Sequence, residues 1–247
     1  HLNCPFADYP KNFVQSLNLL STKYQLPFSR FSLFTFPYPT NKMSSEANPA
    51  FTHSELELME NSDLFYQKRQ IIHKMTDLLG QTANMLKQLP EHKAFTFPEH
   101  TDITTGKISK GENYLQLPWL MLDFPRLFKP DTIFAYRIMF WWGNGFYLTL
   151  HLSGNALQRF EPVLLNNCHQ LGNDPNLWFC TGNNPWQHQP DTQNYLPARQ
   201  LTAQLINQQI AQYQFVKLTQ PLPLAHWNRL KHHALQRYQF FLALLSN

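Results

Sequence analysis

The residues best suited to chemistry fall on two segments that read as a β-hairpin. Thr132 to Trp142 and Phe146 to Ser153 alternate in polarity and are joined across Gly143-Asn144-Gly145. A two-residue Asn144-Gly145 loop would mix polar and apolar side chains on both faces. A three-residue Gly143-Asn144-Gly145 loop, with Gly145 in the left-handed position of a bulge, sets Trp142 opposite Phe146 instead. Phe134, Tyr136, Ile138, Phe140 and Trp142 then share a face with Phe146, Leu148, Leu150 and Leu152. The other face carries Ala135, Arg137, Met139 and Trp141 beside Tyr147, Thr149, His151 and Ser153. A one-residue slip would move every side chain to the opposite face, so the clean segregation selects the three-residue loop. This register predicts Arg137 directly across from His151, with Tyr147, Thr149 and Trp141 nearby. A guanidinium fork, an imidazole, a hydroxyl and an aromatic wall suit a small polar or anionic ligand. The plain alternative is structural: Arg137 pairs with Glu112, Asp123 or another acid, and His151 is a satisfied, half-buried histidine.

A second candidate lies upstream. Gly106 to Tyr114 (GKISKGENY) brackets two lysines with two glycines just before an apolar segment, and such a loop can present amides and Lys110 to an anion, with Tyr114 beside it. It is not a nucleotide-binding G-x-x-x-x-G-K-[ST] loop, because Glu112 stands where lysine is required. Asp123 and Arg126 read as a local ion pair or helix cap. Trp178, Trp186 and Tyr195 flank a polar loop, where they either stack on a sugar or pin the loop. Metal and cofactor chemistry are not expected: Cys4, Cys168 and Cys180 lack zinc spacing, and His232-His233 point about 100° apart on a helix. Neither H-E-x-x-H nor G-x-S-x-G occurs. Cys180, on an apolar segment, reads as a buried inert thiol.

The elements that must position these groups follow from periodicity and punctuation. Ser54 and Glu57 fit a capping box that opens a helix, and Ser62-Asp63 offers a second start. From Leu64 to Leu89 the apolar residues step by three, four and seven along one helix face until Pro90 ends the pattern. Glu91 to Gly111 reads as a long loop, and Leu117 to Pro125 as a short strand. Asn155 to Leu171 reads as a helix, with Pro162 near its first turn or kinking it. Leu177 to Cys180 is a strand, Gly182 to Tyr195 a loop, and Pro197 opens a helix to about Gln212. Phe215 to Leu218 is a strand. The last helix spans about Ala225 to Leu245 and buries Trp227, Leu230, Ala234, Leu235, Tyr238, Phe241, Leu242 and Leu245. This order predicts an α+β fold: a mostly antiparallel sheet around the 132–142/146–153 hairpin, with a long N-terminal helix, two middle helices and a C-terminal helix packed on it.

Composition bounds the rest. At 247 residues with 43% hydrophobic, 15% charged and 15% aromatic residues, the chain is globular, and no apolar run is long enough to span a membrane. The formal charge is +4, but the segment up to Lys42 holds Lys11, Lys23, Arg30 and Lys42 against Asp8 alone, leaving 16 basic and 15 acidic residues in the body. The excess sits in the leader, so a nucleic-acid partner is not expected. Residues 1–42 read as a poorly structured leader that precedes a native start at Met43, with residues 43–247 as a single domain. Copper chelation by His1 is disfavoured, since the enzymes that use it are glycine-rich sandwiches and this chain has 8 Gly.

From Lys107 the run KISKGENYLQLPWLMLDFPRLF, and then IFAYRIMFWWGNGFYLTLHLSG, resembles a group of bacterial conserved hypothetical proteins. The likeness extends from about Met59 onward and is strongest between Lys107 and Gly154. It implies a soluble, cytoplasmic bacterial protein and a start near Met43. The group has no established activity, so no catalytic residue is carried over. The residues themselves favour a domain that binds a small polar or anionic ligand through Arg137, His151, Tyr147, Thr149, Trp141, Lys110 and Tyr114. Two alternatives are a metal-independent enzyme with His151 as general acid or base, and an interaction module that docks a protein through exposed aromatics such as Trp141 or Trp186. Oligomeric state is not legible.

Overall fold

The computed structural model describes residues 50–191 and 193–246, so the expectations about the leader and Met43 lie outside the described residues. The chain divides into two compact units, His1–Leu56 and Glu57–Asn247. Of the first, the described part is short: the Thr52 hydroxyl accepts from the Glu55 amide and the Glu55 carboxylate accepts from the Thr52 amide, 3.3 and 2.7 Å. This reciprocal cap starts helix α1, His53–Glu60. The capping box is thus Thr52–Glu55 rather than Ser54–Glu57.

The second unit is α+β. Seven strands, β1 (Lys107–Tyr114), β2 (Leu117–Lys129), β3 (Thr132–Trp141), β4 (Gly145–Ser153), β5 (Trp178–Cys180), β6 (Tyr195–Pro197) and β7 (Phe215–Leu222), form one antiparallel sheet in the order β1-β2-β3-β4-β7-β5-β6. Helices α2 (Ser62–Gln88), α3 (Pro90–Ala94), α4 (Gly154–Asn166), α5 (Ala203–Tyr213) and α6 (Leu230–Leu244) complete the unit. Phe134, Tyr136, Ile138, Phe140, Phe146, Leu148, Leu150 and Leu152 form the core face of the hairpin, as their alternation requires, and join Leu79 and Leu86 of α2, Leu157 and Phe160 of α4, and Tyr238 and Phe241 of α6. No helix among the described residues is long and apolar enough to cross a membrane.

Several boundaries move for identifiable reasons. Asn61, not Ser62, caps α2 by accepting from the Leu64 amide. Leu64, Phe65 and Ile71 on its first half are exposed; packing against the core begins at Ile72, and full burial at Met75. Lys107–Tyr114 is the edge strand β1, not a loop; an exposed edge needs no apolar alternation, which hid it. Pro162 lies inside α4, beyond the first turn. Pro197 ends edge strand β6, where a missing N–H is tolerated, and Thr202 caps α5 instead. Trp227 sits 59% exposed in a 3-10 turn ahead of α6 rather than in its buried stripe.

One glycine is fixed by space as well as by backbone angle. Gly154 has φ +55°, and a Cβ there would lie 1.9 Å from the Asp131 carbonyl oxygen. Gly154→Ala is therefore expected to destabilise the unit by about 3 kcal/mol or more, since it adds a clash to left-handed strain. Urea unfolding of the variant checks this, and a loss under about 1 kcal/mol would mean the 131–132 turn moves aside freely.

Candidate functional site on the polar face of the sheet

Strand register lines up a row of polar side chains on the face away from the helices. Lys107 pairs with Asp123, Asp123 with Arg137, Arg137 with Thr149, and Thr149 with Thr219, each on the next strand. In the adjoining row Ala135 faces His151, and His151 faces Lys217. The hairpin loop is Trp142-Gly143-Asn144, closed by the Asn144 amide donating to the Trp141 carbonyl at 3.0 Å, with Gly143 at φ +74°. Phe140 therefore faces Phe146, and Arg137 faces Thr149 rather than His151. The shift is one pair on each strand, so the faces keep their composition, and Arg137 and His151 become diagonal neighbours, roughly 7–8 Å apart by strand geometry.

Asp123 is the partner Arg137 finds. Its Oδ1 accepts from Arg137 Nε at 2.6 Å, and both groups are buried. Burial pushes the Asp123 carboxyl up from its ordinary value, opposed by the guanidinium beside it and by Arg126 and Lys107. The Arg137 guanidinium lies over Phe128 at 5.2 Å and over Trp186 at 5.7 Å. Its Nη1 is buried without a hydrogen-bond partner. Arg126 turns away to Asp102, 3.3 Å, so the local Asp123–Arg126 pair does not form.

His151 is 0% exposed, and neither ring nitrogen has a hydrogen-bond partner. Its ring meets Trp186 edge-on at 5.7 Å and Phe215 at 6.2 Å. It is neither half-buried nor satisfied. Burial, followed by the charges of Lys217, Arg137 and His188, holds it well below the usual histidine value, so it is neutral at pH 7.

The face is roofed by the loop of residues 181–194. Thr181 and Gly182 amides both donate to the Asn194 carbonyl, 2.8 and 3.1 Å, closing the base of the loop. From below, the Lys217 amine donates to the Pro185 carbonyl at 2.8 Å and to the Gln187 carbonyl. From the side, the Tyr114 hydroxyl accepts from the His188 amide at 2.8 Å and donates to Gln189. Trp186 lies 48% exposed at the top of the loop, directly over Arg137 and His151.

Lys217 is 0% exposed, and no carboxylate lies within ion-pair distance of it among the described residues. Burial pulls its amine down to about 7, with Cys180 raising it and Arg137 lowering it. Burial likewise holds His188 well below the usual value, and pushes the Cys180 thiol up. Four nitrogen bases, Arg137, His151, His188 and Lys217, thus converge on a space whose one buried carboxylate among the described residues, Asp123, already belongs to Arg137.

The remaining expected site residues separate from this cluster. Trp141 and Tyr147 are buried in an apolar patch with Met121 and Met139, so Trp141 is not an exposed docking residue. Thr149 spends its hydroxyl on Thr219, 2.7 Å. Tyr114 reaches the roof but not the arginine. Lys110 pairs with Leu120 and shares its core-side face, where it lines a small pocket with Lys68 and Arg69 of α2, on the opposite side of the sheet. Lys217, His188 and Asp123 were not expected in the site. Lys217 had a signal: a lysine between Val216 and Leu218 on a strand shares the face of Thr219 and His151. His188, on an aperiodic loop, had none.

The chain matches no protein-family model, no curated protein and no solved structure.

Proposed function

We propose that the chain binds a small anion, a carboxylate or an inorganic oxyanion, between Arg137 and His151 beneath Trp186. The observation that carries this reading is that Arg137 Nη1 and both His151 nitrogens are buried without partners on diagonally neighbouring residues of β3 and β4. A buried donor left unpaired costs about 1–3 kcal/mol, and one anion bridging the two relieves it. The surplus of basic groups favours negative charge, and the apolar rings of Trp186, Phe128 and Phe215 keep the surroundings poorly screened. Entry requires the 181–194 loop to lift away from its ties to Lys217, Tyr114 and Tyr195 of the sheet and to Gln209 of α5. As part of the same reading, the chain is kin to the uncharacterised bacterial proteins it resembles over 107–154 and works in the cytoplasm.

Thermal unfolding in sulfate, phosphate, nitrate and acetate, against chloride at matched ionic strength, tests this. At least one anion is expected to stabilise the chain saturably, by about 2.7 kcal/mol at a hundred times its dissociation constant. His151→Phe keeps the ring contacts, loses the nitrogens and is expected to abolish the effect. Equal stabilisation of the variant, or none by any anion, would overturn the reading.

A second reading, a metal-independent enzyme, is favoured by one observation. The Lys217 amine, at about 7, is matched to proton transfer at neutral pH and sits across the strand pair from His151. It makes Lys217 rather than His151 the general base.

A further inference from the structure

On the opposite side of the sheet, the structure holds a groove of about 890 Å³ whose apolar walls are Met75, Phe140, Trp142 and Trp227. We propose that it binds a single-chain anionic amphiphile, a medium-chain carboxylate. The volume lies in the range of small-molecule sites, about 300–1,000 Å³. One wall is α2 from Ile71 to Gln81, about 15 Å of helix, which sets the length of an extended chain that can lie along it. Trp227 is mostly exposed and Leu224 and Ile71 beside it are partly exposed, so an apolar tail laid in the groove removes large side chains from water.

Charge decides the head group. Two lysines line the groove, Lys74 from α2 and Lys231 from α6, against Asp77 alone. Asp77 Oδ2 lies 3.8 Å from His73 Nε2, and Lys231 donates to the neutral Gln81. Lys74 has no ion-pair partner among the described residues. The groove is therefore net cationic around an apolar floor, which suits a carboxylate and disfavours a cationic or neutral head of equal tail length.

Tryptophan fluorescence of the full chain titrated with dodecanoate, below its micelle concentration, tests the proposal. Saturable binding is expected, at least tenfold weaker for dodecanol and for dodecyltrimethylammonium. Trp227→Ala, an exposed position, is expected to weaken binding at least tenfold, and Lys74→Gln with Lys231→Gln together likewise, read by competition with a fluorescent fatty acid. Excess sulfate is expected to leave binding unchanged, which separates this groove from the anion site on the polar face. Equal affinity for all three head groups, or full affinity in both variants, would overturn it. So would a shift from dimer to monomer in Trp227→Ala with no dodecanoate binding by the wild type, since the groove would then be an interface between copies.

Discussion

Arg137→Met is expected to cost the Glu57–Asn247 unit about 3–5 kcal/mol at neutral pH, the penalty for breaking a buried ion pair from one side. The substitution preserves the aliphatic stem but removes the guanidinium over Phe128 and leaves Asp123 buried without its counter-charge. Burial already pushes that carboxyl up, and the guanidinium is the largest force opposing it. Without the guanidinium the folded-state value rises further above the unfolded one. A carboxyl raised on folding contributes stability that is complete below its unfolded value and is lost as pH climbs through the folded one. The penalty in Arg137→Met therefore grows with pH and shrinks in mild acid. Asp123→Asn in the same chain removes the stranded charge and is expected to restore most of the loss. Urea unfolding of the two single variants and the double variant gives the coupling directly. Additive losses under about 1 kcal/mol each would mean the pair is screened by water.

The sequence shows why the pair was within reach but its neighbours were not. Alternation along β3 and β4 sorts the two faces correctly, because a strand's period is two and either three-residue loop has the same parity. What alternation does not resolve is the pair-by-pair register, and that depends on the hairpin closing at Trp141–Gly145 while the Trp142 amide bonds the Pro118 carbonyl of β2. Gly145, at φ +126°, is needed because a Cβ there would lie 2.5 Å from the Leu222 carbonyl of β7. That long-range approach leaves no local trace. The side of the sheet that Lys110 faces is not legible in its own segment, because it is set by pairing with Leu120. The roof over the site, residues 181–194, is aperiodic, and its position is set by Lys217 from another element.

Lys217 also governs the second large effect. Its amine is lowered from 10.5 to about 7 on folding, so between those values the unfolded chain binds a proton that the folded chain does not. Stability then rises with pH across this window, is complete above the unfolded value and is lost as pH falls toward 7. The slope of one proton is about 1.4 kcal/mol per pH unit, or about 3 kcal/mol from pH 7 to pH 9. His151 and His188 are lowered as well, and they add a separate loss below their unfolded value near 6.5. The Cys180 thiol is raised and works the other way above its ordinary value. Comparison with Lys217→Met isolates the lysine, whose removal is expected to flatten the pH 7–9 rise by about one proton. An unchanged slope would mean the amine is charged and hydrated in the folded chain.

The same protonation links pH to binding. As pH falls toward 7 from above, the Lys217 amine becomes an ammonium beside His151, so anion affinity is expected to rise by up to about tenfold per pH unit above 7 and to level off below it. The most direct test of the central claim is a calorimetric titration of the full chain with sulfate near pH 7, run in buffers of different ionisation heat. The account predicts one saturable site, uptake of up to about half a proton on binding, and loss of the site in His151→Phe. Absence of saturable heat, or undiminished binding by His151→Phe, would contradict it.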